Sequence, residues 1–305
     1  MTAPTGTYTV HDTSSTRGGL REDLSDMIYN ISPTDTPLMS TLAKSKATAV
    51  YHEWQTDSLA NANTSNALVE GDDAVATTSS PTFRIGNYTQ IVGKTIQVSG
   101  TLESVDKAGR KSEKAYQLAK ASSELKRDIE AILFANQGKS AGSSSSARTM
   151  GTMLSWLKSN TSFDTVSGAD PATAGTSTRT DGNTRTFTET ILKEIIREAY
   201  INGGNPKVLY VSPIGKQKTS TFAGIAEQRY QAPSDGPTTI IGAADIYQSD
   251  FGQISIVPNR FMRTRDAIVV DPEYWSWHYR PWGYDCCTEF SIWDARSHGI
   301  RCDGD

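Results

Sequence analysis

The pattern between residues 106 and 137 is the feature of this sequence that most constrains its fold. Seven positions recur there on one helical face, at alternating three- and four-residue steps: Ala115, Leu118, Ser122, Leu125, Ile129, Ile132 and Asn136. Gly138 follows where a C-terminal cap would stand. A helix over the whole range would be about 45 Å long, whereas three or four turns are usual in globular proteins. The sequence therefore predicts an elongated helix that one small core cannot cover.

Two runs rich in β-branched and aromatic residues precede this helix. They occupy residues 50–59 and 83–98, and the stretch between them is polar. Together they predict a long two-stranded hairpin with a broad tip. Ten strand residues span about 33 Å, and a lone hairpin cannot bury both of its faces. We therefore expect the hairpin to lie on another surface.

The N-terminal part of the chain predicts an arm followed by two short helices. Residues 1–20 show no helical or strand period, which predicts a flexible arm. Apolar positions between residues 21 and 31 lie on one helical face. Thr36-Pro37 is typical of an N-cap followed by proline at the first helical position, and it predicts a second helix through Leu42.

The second half of the chain predicts an α+β module and an aromatic closing region. Residues 159–186 are of low complexity and predict a long surface loop. Thr186 and Glu189 form a capping box before a helical stripe that ends at Gly203-Gly204. A strand at 207–211, a helix from Ser212 to about Phe222 and strands near 244–248, 253–257 and 266–270 follow. Eight aromatic residues between 274 and 293 predict strands whose rings pack a second sheet.

Charge and cysteine content argue against several classes of protein. The 305 residues carry 30 Lys and Arg against 34 Asp and Glu, a formal charge of −4, whereas a general nucleic-acid binder usually carries a basic excess. No apolar run approaches the length of a membrane span, and the N-terminus lacks the pattern of a signal peptide. Three cysteines cannot build a disulfide framework. The sequence predicts a soluble protein made in a reducing compartment.

The sequence carries no recognisable catalytic motif. Gly138-Lys139-Ser140 resembles the end of a phosphate-binding loop, but it follows a helix and lacks the first glycine, so we interpret it as an ordinary loop. The four histidines are isolated from one another along the chain, and His278 is interpreted as a packed strand residue. The adjacent Cys286 and Cys287 have no identifiable base. We therefore predict no enzymatic activity and no catalytic, cofactor-binding or metal-binding residues.

Charge is segregated between the predicted hairpin and the predicted helix. Residues 51–82 carry a net charge of −5 with no Lys or Arg, and residues 106–127 carry +4. The two biases have two interpretations: unrelated solvated surfaces, or an acidic hairpin tip that docks on the basic helix of a neighbouring subunit. The candidate assembly residues are Glu70, Asp72, Asp73, Lys107, Arg110, Lys111 and Lys114.

The order of these elements, and one segment in particular, resemble the major capsid proteins of tailed bacteriophages. The segment Ile31–Leu59 resembles the N-terminal signature of the SU10-type major head proteins: a short helix, the pattern S-P-x-x-T-P-L and a strand containing Glu-Trp. Arg148–Leu157 and the helix before KVLYVSP are weaker similarities.

This resemblance implies an α+β, HK97-like capsid fold with an N-arm, an extended β-hairpin (the E-loop), a long spine helix in the P-domain and a compact A-domain. It divides the chain into five segments: 1–45, the N-terminal arm with short helices; 46–100, the E-loop hairpin; 101–185, the P-domain with the spine helix and a polar loop; 186–275, the A-domain; and 276–305, C-terminal strands that return to the P-domain.

The resemblance also implies a structural role without catalysis. Copies of the chain would form hexamers and pentamers of an icosahedral head shell around double-stranded DNA, in a virion assembled in the host cytoplasm. Other expected partners are scaffolding, portal and decoration proteins, with weak contact to the packaged DNA and none to a membrane. Some shells of this fold are cross-linked through a lysine of the E-loop; residues 51–82 contain no lysine, so we expect noncovalent assembly.

Two other classes remain open from the sequence. An encapsulin-like compartment shell would share the fold but enclose a cargo enzyme. A non-capsid, β-rich adhesin or tail protein would account for the Ser and Thr content, which exceeds a fifth of the chain, but not for the long basic helix.

Overall fold

A computed structural model describes residues 32–73, 81–164, 166–222, 245–281, 288–294 and 300–301. The predicted arm over 1–20, the predicted helix over 21–31 and all three cysteines lie outside these residues. The chain divides into two compact units, residues 1–33 with 96–121 and residues 34–95 with 122–305.

The described helices and strands follow one another in a mixed order. The helices are α1 (Pro37–Thr41), α2 (Gly100–Ser104), α3 (Glu113–Leu133), α4 (Met153–Trp156), α5 (Glu189–Ile201) and α6 (Pro213–Thr219). The strands are β1 (Ala43–Lys46), β2 (Tyr51–Thr56), β3 (Phe83–Tyr88), β4 (Gln90–Val92), β5 (Val208–Val211), β6 (Ile246–Ser249), β7 (Gly252–Pro258), β8 (Ala267–Val270), β9 (Trp275–Pro281), β10 (Thr288–Asp294) and β11 (Ile300–Arg301). None of the helices in the described residues combines the length and hydrophobicity that a bilayer crossing requires.

The long helix is shorter than the sequence predicts. With 21 residues, α3 is about 32 Å long. It begins late because Ser112 caps it, with the Ser112 Oγ accepting from the Ala115 amide at 3.2 Å. Gly138 does not cap its other end, because α3 already ends at Leu133. The backbone at Gly138 instead lies so close to Thr176 that a Cβ would overlap the Thr176 carbonyl oxygen. The predicted apolar stripe is buried at Ile129 but exposed at Leu118.

The hairpin is also shorter than predicted. Strands β2 and β3 pair antiparallel over six residues, from Tyr51 opposite Tyr88 to Thr56 opposite Phe83, which gives arms of about 20 Å. The second predicted run continues as β4, which leaves the hairpin and pairs with β10 instead. The chain can change sheets here because the Thr89 amide, between β3 and β4, still donates to the carbonyl of Val50.

A four-stranded sheet gathers distant parts of the chain in the order β1-β9-β10-β4. Strand β1 runs parallel to β9, and β10 runs antiparallel to both β9 and β4. The predicted second sheet at the aromatic end of the chain is therefore confirmed for β9 and β10. Trp275 is fully buried, and Trp277 and Tyr279 pack against the main core. Trp282 and Tyr284 lie outside the described residues.

The α+β module predicted from residue 186 onward is confirmed. Its sheet has the order β11-β8-β5-β7-β6, and the apolar stripe of α5 is buried against it. The capping residue of α5 is Thr188 rather than Thr186, because the Thr188 Oγ1 accepts from the Ile191 amide. The helix predicted from Ser212 to about Phe222 is α6. It begins as predicted, because the Ser212 Oγ caps it by accepting from the Gly215 amide at 3.1 Å, and it ends earlier, at Thr219.

The polar loop at 159–186 is held in place by bonds from arginine side chains. Arg179 is 3% exposed and binds Asp170 and the carbonyl of Leu157. Asp181, on the same loop, accepts from Arg263 in the connection between β7 and β8. The sequence of this loop contains few large apolar residues, so these charge-assisted bonds take the place of much of the apolar packing.

The main hydrophobic core lies among α1, α3, α4 and β9. Leu38, Leu133, Leu154 and Trp275 are each at most 1% exposed there. The short apolar segment that the sequence indicates at 153–157 is α4, and all four of its residues are buried. Trp54 of the hairpin reaches this core and lies 5.4 Å from the ring of Trp156, so the hairpin does rest on another surface.

Candidate functional site

The three acidic candidate residues lie together on the connection between β2 and β3. The chain turns at Glu70, where the Asp72 amide donates to the carbonyl of Val69 at 3.2 Å, and Glu70, Asp72 and Asp73 are all exposed. Within the described part of the chain, no ion pair involves any of the three carboxylates. We call these three residues the acidic tip, and their charges are available to a partner.

Large apolar side chains of the connection between β2 and β3 are exposed to solvent, and two of them directly precede the acidic tip. Leu59, Leu68 and Val69 are 91%, 86% and 77% exposed. A single exposed leucine is ordinary, but Leu68 and Val69 next to the carboxylates of the acidic tip, with Leu59 on the same connection, are typical of a surface that another molecule covers. Phe83, where the connection joins β3, is also exposed. The segment therefore offers a partner both charge and apolar area.

The four basic candidate residues lie together around the start of α3, but two of them are occupied within the chain. The Lys107 ammonium donates to the carbonyls of Leu102, Glu103 and Val105 at 2.7–2.9 Å, and so closes the C-terminal end of α2. Arg110 pairs with Glu113 and lies over the ring of Tyr116. The charges of Lys107 and Arg110 are thus engaged within the chain, and the two side chains mainly fix the shape of this surface.

Lys111 and Lys114 are the exposed cations of this group. Lys114 lines a groove of about 610 Å³ together with the half-buried Ile96 and Val98. Lys111 lines a second groove of about 630 Å³ beside Lys107 and Arg110. We call Lys107, Arg110, Lys111, Lys114 and the two grooves the basic surface. Its first groove joins exposed positive charge to the apolar walls of Ile96 and Val98, which are the counterparts of what the acidic tip carries. Its second groove is lined by charged side chains, with Asp106 beside the three cations.

Glu103 fixes the geometry of the basic surface. Its Oε2 accepts from the amides of Glu113 and Lys114 at 3.0 and 3.2 Å, so a carboxylate from α2 caps the positive end of the α3 dipole. A hydrogen bond from the Ser112 side chain is the largest cause that lowers the pKa of Glu103, and the two amides add to it. Lys111 and Lys114 are therefore presented on a fixed corner between two helices.

The sequence reading missed the residues that hold the base of the hairpin, which we define as 86–90. The Asn87 side chain donates to the carbonyl of Gly151 at 2.9 Å and accepts from the Gly151 amide at 2.8 Å, and it is fully buried. The Gln90 Oε1 accepts from the Gln137 side chain and from the Met150 amide. The base is thus bound by side-chain amides to residues 137–151.

Lys139, interpreted above as part of an ordinary loop, is another such residue. Its ammonium donates to the carbonyl of Gly86 at 2.5 Å and lies 5.3–5.5 Å from the ring centroids of Tyr51 and Trp156. Burial lowers the pKa of Lys139. The only sequence signal is the short Gly-Lys-Ser pattern, which does not indicate such a contact.

Gly86 at this base has no room for a side chain, which leads to a testable prediction. A Cβ there would lie 2.5 Å from the carbonyl oxygen of His52 and 2.9 Å from the ring of Tyr51. We expect Gly86→Ala to lower the free energy of unfolding by about 1–3 kcal/mol through overpacking. Gly100→Ala is the control, since nothing lies within 4 Å of its Cβ position. Urea denaturation measures both, and equal stabilities would contradict the prediction.

A buried carboxylate joins three segments of the main core. Glu130 of α3 is fully buried, and its oxygens accept from the amides of Leu38 and Met39 at 2.8 and 3.1 Å and from the Asn259 side chain at 2.6 Å. It therefore binds the start of α1 and the residue after β7 to the long helix. Burial raises the pKa of Glu130 against the opposing effect of these donors.

Two of the four histidines prove not to be isolated. The rings of His52 on β2 and His278 on β9 lie with centroids 4.2 Å apart, so the expectation that all four stand apart is wrong for this pair. The interpretation of His278 as a packed strand residue is confirmed, since it is 8% exposed. In the described residues, no group of His, Cys, Asp and Glu has the geometry to hold a metal ion.

Comparison with known proteins finds similarity to major capsid proteins of phages. The chain matches the family model of the SU10 major capsid protein over residues 3–285. It is also similar to the major capsid protein of Escherichia phage Phieco32, with 37% identity over 123 residues, which cover 40% of this chain and 35% of that protein. The matched region thus spans about a third of that relative's length.

The fold is similar to solved phage structures at low sequence identity. For the capsid asymmetric unit of cyanophage A-1(L), the TM-score is 0.61 at 10% identity, over 94% of this chain and 98% of that one. For Gordonia phage Cozz, it is 0.58 at 10% identity, over 100% and 98%. These similarities confirm the expected α+β, HK97-like fold. Because the family model matches almost the whole sequence, this chain belongs to the SU10 major capsid protein family.

Proposed function

We propose that this chain is a structural shell subunit that assembles with copies of itself into the hexamers and pentamers of an icosahedral phage head around double-stranded DNA. The match to the SU10 major capsid protein family over residues 3–285 carries the proposal. It acts by binding its own copies, without a catalytic step. Family membership also speaks against the adhesin or tail-protein alternative.

The uncovered surfaces of the chain support a role that depends on neighbours. Leu59, Leu68 and Val69 are exposed on a connection that extends from a two-stranded hairpin. An isolated subunit would leave this apolar area in water, whereas a large obligate interface would bury it.

We further propose that the acidic tip of one copy docks on the basic surface of the next. Asp72 and Asp73 would face Lys111 and Lys114, and Leu68 or Val69 would enter the groove walled by Ile96 and Val98. Lys107 and Arg110 would support the groove, because their own charges are engaged within the chain. Charge complementarity of this kind sets register and choice of partner more than affinity.

The segment boundaries and the remaining partners belong to the same proposal. The division into arm (1–45), E-loop (46–100), P-domain (101–185), A-domain (186–275) and returning strands (276–305) assigns the acidic tip to the E-loop. It assigns the four basic residues to the P-domain and the groove walls Ile96 and Val98 to the end of the E-loop segment. Scaffolding, portal and decoration proteins would bind the assembled shell, and DNA would touch it weakly. Assembly would take place in the host cytoplasm and the product would be the virion.

The assembly state of the purified chain tests this function. Negative-stain microscopy and size-exclusion chromatography of the recombinant protein are expected to find closed shells, or rings of hexamer and pentamer size. Coexpression with candidate scaffolding proteins is the second arm. A monomer in both arms would contradict the proposal, and shells that enclose a protein cargo instead of DNA would favour the encapsulin-like alternative.

A further inference from the structure

The rings of His52 and His278 form a contact between two different sheets, and both residues are titratable. His52 lies on the two-stranded hairpin and His278 on the four-stranded sheet. Their ring centroids are 4.2 Å apart, with the ring planes tilted by 31°. Two neutral imidazoles pack well at this distance, whereas two imidazolium ions would repel each other in a partly dehydrated space.

The surroundings of the pair favour neutral rings. Two hydroxyl groups contact His278: Ser45 Oγ lies 2.6 Å from its Nδ1 and Ser276 Oγ lies 3.1 Å from its Nε2. Trp54, two residues along β2, also lies near His52, with ring centroids 6.2 Å apart. A serine can orient an imidazole of either charge, but it does not offset a positive charge as a carboxylate would.

The charged residues on the strands next to the histidine pair bind groups other than the two histidines, or lie at register positions that are not opposite them. On β1, Lys44 lies over the ring of Trp277 and Lys46 is exposed. On the hairpin, Glu53 is exposed and lies 3.8 Å from Arg84, while the residue opposite His52 is the neutral Asn87. On β10, Ser291 is opposite His278, and the nearest titratable residue in register is Glu289, opposite Arg280.

We propose that His52 and His278 form an acid-sensitive fastener between the hairpin and the four-stranded sheet: the neutral rings hold the two together, and protonation opens the contact. The hydrogen bonds between Asn87 and Gly151 do not titrate in this range, so they hold the base of the hairpin while the histidine contact opens. The response is therefore a local opening and not global unfolding.

The direction of the pH dependence follows from burial. Burial lowers the pKa of His278 from 6.5 to about 4, and the charge of His52 adds to the shift. Burial also lowers the pKa of His52. A histidine with a lowered pKa in the closed state stabilises that state fully above pH 6.5, and the stabilisation is lost as the pH falls towards 4. The opening is therefore expected between pH 6.5 and pH 4.

Hydrogen exchange of the intact chain tests the fastener. Amides of β2 and β3 are followed from pH 7 to pH 5, with the rates corrected for intrinsic exchange, and amides of β5 and β8 in the other sheet serve as the internal reference. We expect the opening equilibrium of the hairpin amides to rise on the order of tenfold relative to the reference. An unchanged ratio would overturn the proposal.

A double variant separates the histidines from other titrating groups. His52→Phe keeps a packed ring, and His278→Gln keeps partners for Ser45 and Ser276. Neither replacement can gain a proton. The combined variant is expected to lose the pH dependence of the hairpin amides. If the dependence persists, the pair does not cause it.

A measurement on the wild-type chain covers the case in which that variant does not fold. The ring C2–H signals of the histidines in the dissociated subunit are followed by NMR, and the signal of His278 is expected to titrate below pH 5. A midpoint near the ordinary 6.5 for both rings would contradict the fastener. Because the contact lies within one chain, each of these results can be read whether or not shells form.

Discussion

Reversing Asp72 and Asp73 to lysine is expected to abolish shell assembly while leaving the subunit folded. Both side chains are exposed on the acidic tip and take no part in the described ion pairs, so the fold does not depend on them. In the proposed interface, each new lysine would face Lys111 or Lys114 of the next copy, and like charges set against each other cost several kcal/mol. Assembly is measured by particle counts in microscopy and by the high-mass fraction in chromatography.

A charge swap distinguishes a specific contact from a change in net charge. Lys111→Glu/Lys114→Glu alone is expected to block assembly, and the chain that carries all four reversals is expected to recover it. Asp35→Lys/Asp250→Lys is the control for the reversal of Asp72 and Asp73, because it makes the same change in net charge at exposed positions that take part in none of the described ion pairs. If the control assembles, a change in net charge does not by itself block assembly. Recovery in the fourfold variant would then come from restored charge pairing and not from restored net charge.

Salt provides an independent measure of the same contact. Raising the ionic strength from about 0.1 M to 1 M shortens the Debye length from about 10 Å to 3 Å, so assembly of the wild-type chain is expected to weaken. If neither added salt nor the two charge reversals changes assembly, the acidic tip and the basic surface are not part of the interface. The apolar residues Leu68 and Val69 would then be the first candidates to carry it.

The sequence predicts the elements of this fold well where the signal is local. Ser212 caps α6 as its pattern indicates, and the stripe of α5 is buried where the 3.6-residue period requires it. The ends of the long helix could not be read in this way. A single polar residue, Ser112, starts it, and Gly138 is needed for its approach to Thr176, a contact 38 residues away in sequence.

Long-range pairing explains the error in the hairpin. The run 83–98 has one continuous β-type pattern, but its residues divide between two sheets, because β4 pairs with β10. Nothing in the local pattern distinguishes a strand that stays in its hairpin from one that changes partners, since both place alternate residues on opposite faces.

For the candidate assembly residues, too, the sequence predicts one property and not another. Their composition predicts a basic cluster, and the structure does bring Lys107, Arg110, Lys111 and Lys114 together around α2 and α3. The sequence cannot tell which charges are engaged: Lys107 is occupied by three carbonyls and Arg110 by Glu113, whereas Lys111 and Lys114 are exposed. The His52–His278 contact joins residues 226 positions apart and has no local signal at all.

Replacing Glu130 is expected to be the most destabilising single change on α3. Glu130→Ala leaves the amides of Leu38 and Met39 and the side chain of Asn259 without their acceptor in a buried site. Each buried donor left unpaired costs about 1–3 kcal/mol, so a total loss of at least about 3 kcal/mol in the free energy of unfolding is expected. Glu130→Gln keeps one acceptor oxygen but turns an amide towards a donor, and its loss is expected to be intermediate.

The raised pKa of Glu130 makes this prediction specific to the carboxyl group. Because burial raises the pKa above 4.5, the folded state holds its proton more tightly than the unfolded state, and the group's contribution to stability is lost as the pH rises through the raised pKa. The advantage of wild type over Glu130→Gln is therefore expected to be greater at pH 4.5 than at pH 7 in urea denaturation of the unassembled chain. Glu124→Gln, on the same helix but paired with Lys94 near solvent, is the control and should change stability little. A pH-independent difference would mean that the three donors offset the effect of burial on the pKa of Glu130. Equal losses for Glu130→Gln and Glu124→Gln would mean that Glu130 does not act as the acceptor that joins α1 and Asn259 to the long helix.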